Sequence, residues 1–370
     1  MELNKQSQKA TGDYTVQNQT FIYNNGITEE RVREICDEKI KQIIAQYTEV
    51  AHTIVNERLN DFRDIIIPMI KGIKNGLSAF TDPSFQFLLG ETYKVAACTE
   101  NKTDYELLSE LLAHRIEKGD DKGIKLSVHK AVQIVEDLPD DALQGLTLFY
   151  VVKHISAQHY SVITTLNILE ETFKQIMYSE LPLGNEWIEY LNMCGAVRII
   201  DSKTFSKIKN IYTNYYQPIL QIGIKKDSEQ YQKALNILKK ADIDINESDV
   251  LVPNEYCADY VRVSLFSKDR LNLKTATDSN GSERELNNME KQAICSIFDL
   301  YDQDKKLKEE MKKFFICEFD KRPHLKKLEE WFNSIPLYFD TTNVGKVLGK
   351  ANAHLHCLKI PGLIINENII

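Results

Sequence analysis

Ten residues near the start of the chain, YTVQNQTFIY at 14–23, alternate in the manner of a β-strand, while most of the remaining chain has helical periodicity. An extended segment cannot pair its own backbone N–H and C=O groups and needs a neighbouring strand or water. Tyr14, Val16, Asn18, Thr20 and Ile22 share one face of such a strand. Thr15, Gln17, Gln19, Phe21 and Tyr23 share the other. Asn24-Asn25-Gly26 supplies a turn, because Asn and Gly tolerate positive φ. Thr28, followed by Glu29 and Glu30, reads as a helix start, where the dipole favours anions.

The helix after this turn is expected to be long. Cys36, Ile40, Ile43, Tyr47, Val50 and Ile54 step by four and three residues, the spacing of a narrow seam. The frame then slips by one to Val55, Leu59, Phe62, Ile66 and Met69, with Pro68 kinking or ending the helix. A helix of about forty residues spans roughly 60 Å, more than a small domain. It is either a core helix buried by its own chain or a coiled-coil seam between protomers. The expectation adopted is self-association through residues 14–70. Val16, Asn18, Phe21, Ile22 and Tyr23 pair with copies of themselves, and Gln17, Asn18 and Gln19 ladder in register. Ile40, Ile43, Tyr47, Val50 and Ile54 form the seam. Two alternatives stand beside it: the strand pairs with residues 249–266 of its own chain, or it is disordered in the free protein.

The rest divides into a helical bundle over 77–180, a mixed helical unit over 181–272 with minor strand character at 249–266, and a helical region over 286–370. The run LKTATDSNGSERE, 273–285, reads as a loop or linker. The expected fold is mainly α: a multi-helix bundle or helical array with a polar tail and Asn/Gln-rich strand (1–26), a long oligomerisation helix (27–76) and a minor β element near 249–266. No fixed repeat period marks a solenoid.

A net charge of −8 without a dense Lys/Arg stripe argues against sequence-independent nucleic-acid binding. Seven scattered cysteines, with no CxxC pair, read as reduced thiols. The polar start MELNKQSQKATGDY has no apolar core of a secretory signal, and DIIIPMIKGI at 64–73 is too short to span a bilayer. A cytoplasmic protein without a membrane partner is expected.

Three clusters invite chemistry. His354, His356 and Cys357 lie in HLHC, but a structural zinc needs four ligands and no second pair stands nearby, so ordinary helix-end residues are expected. VGKVLGK at 344–350 fails as a phosphate loop on spacing, and Ala351 stands where Ser or Thr would hold magnesium. Gly345, Gly349 and Ala353, four apart, instead leave one helix face bare for close packing. His154 and His159 in HISAQH suit acid–base chemistry in principle but lack a local partner, and read as surface or cap residues. Residues 185–200 resemble the helix-to-wing passage of a winged-helix unit. Arg198, Lys203, Lys207 and Lys209 cluster there, mixed with Glu186, Glu189 and Asp201. No hydrolase or nuclease motif occurs in a supporting context, and no catalytic residue, cofactor or metal is expected.

Two segments together resemble a known family. GDYTVQNQTFIYNNGITEERVREI is similar to the leader of an uncharacterised family of bacterial accessory proteins, through Gly12, Asp13, Gln17, Asn18, Gly26, Thr28, Val32, Glu34 and Ile35. FDTTNVGKVLGKANAHL resembles that family's closing helix through Thr342, Val344, Gly345, Ala351 and Asn352. The ending PGLIINENII departs from it by lacking a tryptophan. The resemblance implies a mobile-element or phage-defence setting and carries over no catalytic residue. The leading expectation is an oligomeric phage-defence or stress-response factor, a sensor or effector contacting phage or host proteins. The alternatives are a nuclease-like or other enzyme with a site assembled from distant residues, and a winged-helix-like DNA-binding regulator.

Overall fold

The computed structural model describes residues 27–118, 121–243, 250–273, 275–277, 283–357 and 359–365. The expected strand at 14–23, with Val16, Asn18, Phe21, Ile22 and Tyr23, lies outside the described residues.

The chain is mainly helical. The expected long helix is instead two helices, α1 (Glu29–Ile44) and α2 (Glu49–Gly72), joined by a short corner. Arg63 on α2 meets Asp37 on α1 at 2.9 Å, and Lys71 meets Glu29 at 2.7 Å, so the two run antiparallel. The one-residue frame slip is the corner. The first frame serves α1, which buries Val32, Cys36, Ile40 and Ile43. The second serves α2, which buries Val55, Leu59, Phe62 and Ile66. Ile54 falls off the second frame and stays 52% exposed. The between-protomer seam is thereby corrected at Ile40 and Ile43, which are buried in the core of their own chain. Tyr47 packs at the edge of that core, and Val50 lies in α2. Pro68 is accommodated inside α2.

Next in the chain come four helices: α3 (Pro83–Cys98), α4 (Lys102–Lys118), α5 (Lys122–Ile134) and α6 (Asp140–His154). Side chains cap several of them. Asp82 accepts from the Ser84 N–H at the start of α3, and Asp121 accepts from the Ile124 N–H at the start of α5. The short strand β1 (Ile155–Ala157), α7 (Val162–Ile176), α8 (Glu186–Met193), β2 (Val197–Ile199) and α9 (Ile208–Tyr215) complete the first half.

A small lobe interrupts the helices. It comprises β3 (Ile224–Lys225), α10 (Glu229–Lys240), β4 (Leu251–Pro253), β5 (Tyr260–Val263), the two-stranded pair β6 (Thr275–Thr277) and β7 (Glu283–Glu285), and α11 (Asn288–Phe298). The strand character at 249–266 is β4 and β5, which pair antiparallel in a sheet ordered β3-β5-β4. The 273–285 stretch, expected as a loop, contributes β6 and β7, with Ala276 opposite Arg284. Residues of this lobe, among them Ile224, Leu238, Val263 and Ile297, form their own apolar core.

The chain then returns to the body through α12 (Lys305–Asp320), α13 (Pro323–Ser334), β8 (Phe339–Thr341), α14 (Asn343–His356) and β9 (Leu363–Ile365). Two antiparallel pairings tie the return in place: β9 on β1 and β8 on β2. One continuous core runs from Val32 to Cys357, so residues of the expected units 27–76, 77–180 and 286–370 share it.

α14 packs against α4, α5 and α6. A Cβ added at Gly349 would stand 2.7 Å from Tyr150 Cβ, and one at Gly345 would stand 2.1 Å from the Ala196 carbonyl oxygen. Ala353 is fully buried in the same core. Asn352 donates from this helix to Thr147 Oγ1 at 2.8 Å, satisfying a polar group inside the contact. Overpacking such a contact costs about 1–3 kcal/mol. Gly349→Ala is expected to lower the melting temperature. Gly345→Ala, which meets fixed backbone, should lower it further. Thermal unfolding followed by circular dichroism checks both, and an unchanged midpoint in either would contradict the close approach described.

Candidate functional site

A cleft of about 340 Å³ with a mixed polar and apolar lining opens where the helical body meets the small lobe. One wall is the lead-in to α7, with His159, Tyr160, Ser161 and Thr164. The other carries Asn254 and Glu255 from the β4–β5 connection and Arg262 from β5, and Val162, Val252, Pro253 and Met311 supply the apolar part of the lining. The volume falls in the range of small-ligand pockets.

Local structure fixes each of these groups. Ser161 caps α7, its Oγ accepting from the Thr164 N–H at 2.9 Å. Ser161 Oγ also donates to Glu255 at 2.5 Å, and the same carboxylate accepts from the Val162 N–H at 2.6 Å. Glu255 therefore occupies the positive N-terminus of α7 and links the lobe to the body. Asn254 is engaged on both ends of its amide. It donates to the Ile222 carbonyl and accepts from the N–H groups of Tyr256 and Cys257.

His159 Nδ1 accepts from the Ser161 N–H at 3.0 Å, so the neutral ring carries its hydrogen on Nε2. Burial holds its pKa below the usual histidine value, with Arg262 pushing the same way and Glu255 opposing. The ring stacks on Tyr160 at 4.3 Å between centroids.

Arg262 is only 3% exposed, although it sits on a strand between Val261 and Val263. Its guanidinium donates to the carbonyls of Ile219 and Pro218. Its buried Nε–H has no hydrogen-bond partner among the described residues. Burial lowers its pKa, with Tyr301 and Glu255 opposing, yet an arginine stays charged near neutral pH. A buried cation with an unmet donor is costly to leave unpaired. The cleft is thus lined by a buried cation, Arg262, and by His159 in its Nε2–H tautomer. It suits a small ligand with an acceptor or anionic group.

Of the candidates read from the sequence, His159 reaches this cleft. His154 does not: it is buried at the end of α6 with its ring 4.8 Å from that of Tyr150. The HLHC residues separate three ways. His354 Nδ1 meets Glu110 at 2.7 Å, the His356 ring stacks on Tyr178, and Cys357 is buried with its thiol pushed up to about 12. Among the described residues, no group of three or more His, Cys, Asp or Glu is placed to hold a metal. The basic run after β2 is also divided. Lys209 pairs with Asp320 and Glu329, Lys203 lies over the Tyr338 ring, and Arg198 stands in register with Asp340. Gly345 and Gly349 lie in the packed face of α14, away from the cleft. Arg262 was legible in the sequence only as the charge in YVRV, a cation inside an otherwise apolar strand.

A family model described as ":-like" matches residues 26–361. The chain belongs to that family. The match takes in the helical body, the small lobe and both walls of the cleft, so the site is built wholly from the span that defines the family. No curated protein and no solved structure matches the chain. No helix among the described residues is long and apolar enough to cross a membrane.

The His354–Glu110 pair makes stability depend on pH. The hydrogen bond to Glu110 raises the His354 pKa above its unfolded value. The resulting stabilisation is fully present below about pH 6.5 and is lost as pH rises through the folded-state pKa. His354 is about half exposed, so solvent screening limits the effect to about 0.5 kcal/mol. The melting-temperature gap between wild type and His354→Ala should be wider at pH 6 than at pH 8.5. A gap of the same size at both would show that the pair carries no charge.

Proposed function

We propose that the protein is a sensor that binds a small anionic ligand in the cleft between its helical body and its small lobe. The observation that supports this is Arg262, a buried cation lining the cavity with an unmet donor. A ligand there would bridge the helical body and the small lobe, because the lining takes Val162 and Met311 from the large core and Val252, Pro253 and Arg262 from β4 and β5. Binding energy spent across that junction would bias how the lobe sits on the body. The setting implied by the sequence resemblance is bacterial phage defence or stress response, with the bound state read by a phage or host protein. A cytoplasmic location belongs to the same proposal.

Thermal-shift titration against nucleotides, sugar phosphates and carboxylates tests the ligand. One class should raise the midpoint saturably in wild type and bind about tenfold more weakly in Arg262→Lys and His159→Gln. Titrations that saturate with no compound, or that are indifferent to both substitutions, would remove the reading. Expression in a phage-challenged bacterial host tests the setting: wild type should reduce plaque formation, and the same two variants should not.

Self-association through residues 14–23 is part of the same proposal, and the support is the strand-like alternation of that stretch in the sequence, whose backbone groups would need partners. Light scattering on the full chain and on residues 27–370 is expected to give an oligomer and a smaller species, respectively. Equal masses would defeat it. A second reading, an enzyme, is favoured by His159 and Glu255 lining one cleft. It predicts turnover of the identified ligand that His159→Gln abolishes while ligand binding persists.

A further inference from the structure

A second candidate site lies where α14 crosses α4. The facing side chains pair in antiparallel order. At the first rung, His354 meets Glu110 at 2.7 Å, a hydrogen-bonded pair of complementary groups. At the second, Lys350 Nζ reaches His114 Nδ1 at 3.5 Å, a cation facing an imidazole instead of a carboxylate. Four residues further along each helix stand Lys346 and Lys118, and Lys118 is close enough to press on the charges of His114 and Lys350. Compensation of charge therefore fails progressively along the contact. Among the described residues, neither Lys346 nor Lys350 has a carboxylate within ion-pair distance. Glu117 lines an adjoining cavity of about 140 Å³ with Lys350 and His354 without closing such a pair.

The uncompensated end opens into a cavity of about 270 Å³ lined by His114, Tyr150, His154, Lys346, Val347 and Lys350, with Ile365 of β9 at its edge. Burial holds the His114 pKa down to about 4, helped by Lys350 and Lys118. Burial also lowers the pKa of Lys350, with Lys118 pushing the same way and Glu117 and Glu110 opposing. Both groups are destabilised in their charged forms by their surroundings, which an added negative charge would relieve. The bare glycine face of α14 fixes the geometry. Gly349 seats the helix against Tyr150, and this rotation turns Lys346 and Lys350 toward the cavity.

We propose that this cavity binds an oxyanion of the phosphate class, free or as a phosphate monoester, with Lys346 and Lys350 as its cationic ligands and His114 as a neighbouring donor once protonated. Two lysines one helical turn apart provide point charges suited to a phosphate. The site is separate from the Arg262 cleft and shares no lining residue with it.

The experiment is a titration of the full-length protein with inorganic phosphate, a simple alkyl phosphate and, as control, sodium chloride at matched ionic strength. It is followed by melting temperature and by the His114 imidazole resonances. Phosphate should raise the midpoint saturably beyond chloride and shift the His114 signals. Response to the alkyl phosphate as well assigns a monoester, and response to inorganic phosphate alone assigns the free ion. Lys346→Gln and Lys350→Gln should each weaken binding about tenfold or more. Lys174→Gln, on an exposed helix face, should leave it unchanged. If Lys350→Gln fails to fold, Lys346→Gln and the wild-type His114 shift decide the matter. A midpoint that tracks ionic strength alone, His114 signals that do not move, or tight binding retained in Lys346→Gln would overturn the assignment.

Discussion

The approach of α14 to α6 at Gly349 is the contact on which the rest of the body depends. Any side chain there would crowd Tyr150 Cβ, whose position is fixed by the backbone. At the start of the same helix, Thr342 accepts from the Gly345 N–H and donates to the carbonyls of Gly195 and Ala196. That end is therefore stitched to the turn before β2. With both points set, the helix has one rotation available. Asn352 then meets Thr147, Ala353 enters the core, and Lys346, Lys350 and His354 face α4.

The small lobe obeys a different constraint. Its core is too slight to stand far from the body, and β5 is buried along its whole length because it faces both. A charge placed there must be satisfied locally. Arg262 achieves this in part with two carbonyls before β3, while Glu255 reaches across to the first turn of α7. The cleft is the space left between these two polar ties. Its buried cation and its location between body and lobe result from one arrangement, which is why ligand binding and lobe position are linked in the proposed function.

Much of the fold was legible in the sequence because helical spacing reports which residues are buried. Most apolar positions of α1 and α2 were read correctly, Ile54 being the exposed exception. The error lay in joining the two helices, since a one-residue slip looks the same for a rotated stripe as for a corner. Only the folded chain distinguishes these, by placing Lys71 against Glu29. Strand character at 249–266 was visible from its β-branched residues, whereas β6 and β7 were hidden by the polar, turn-forming composition around them. The cleft was largely illegible. His159, Glu255 and Arg262 come from segments about a hundred residues apart, and nothing in local spacing says that they meet. The small-residue face at 345–353 was readable because bare positions four apart have few other uses in a helix.

Order of synthesis gives the closing strands a further meaning. The groove between α4, α5 and α6 is complete once residue 154 has been made, but the helix that fills it begins at Asn343. During the intervening stretch of translation, the face of α6 around Tyr150, against which Gly349 later packs, lacks its final cover. A nascent chain of this kind has reason to linger with chaperones until α14 leaves the ribosome.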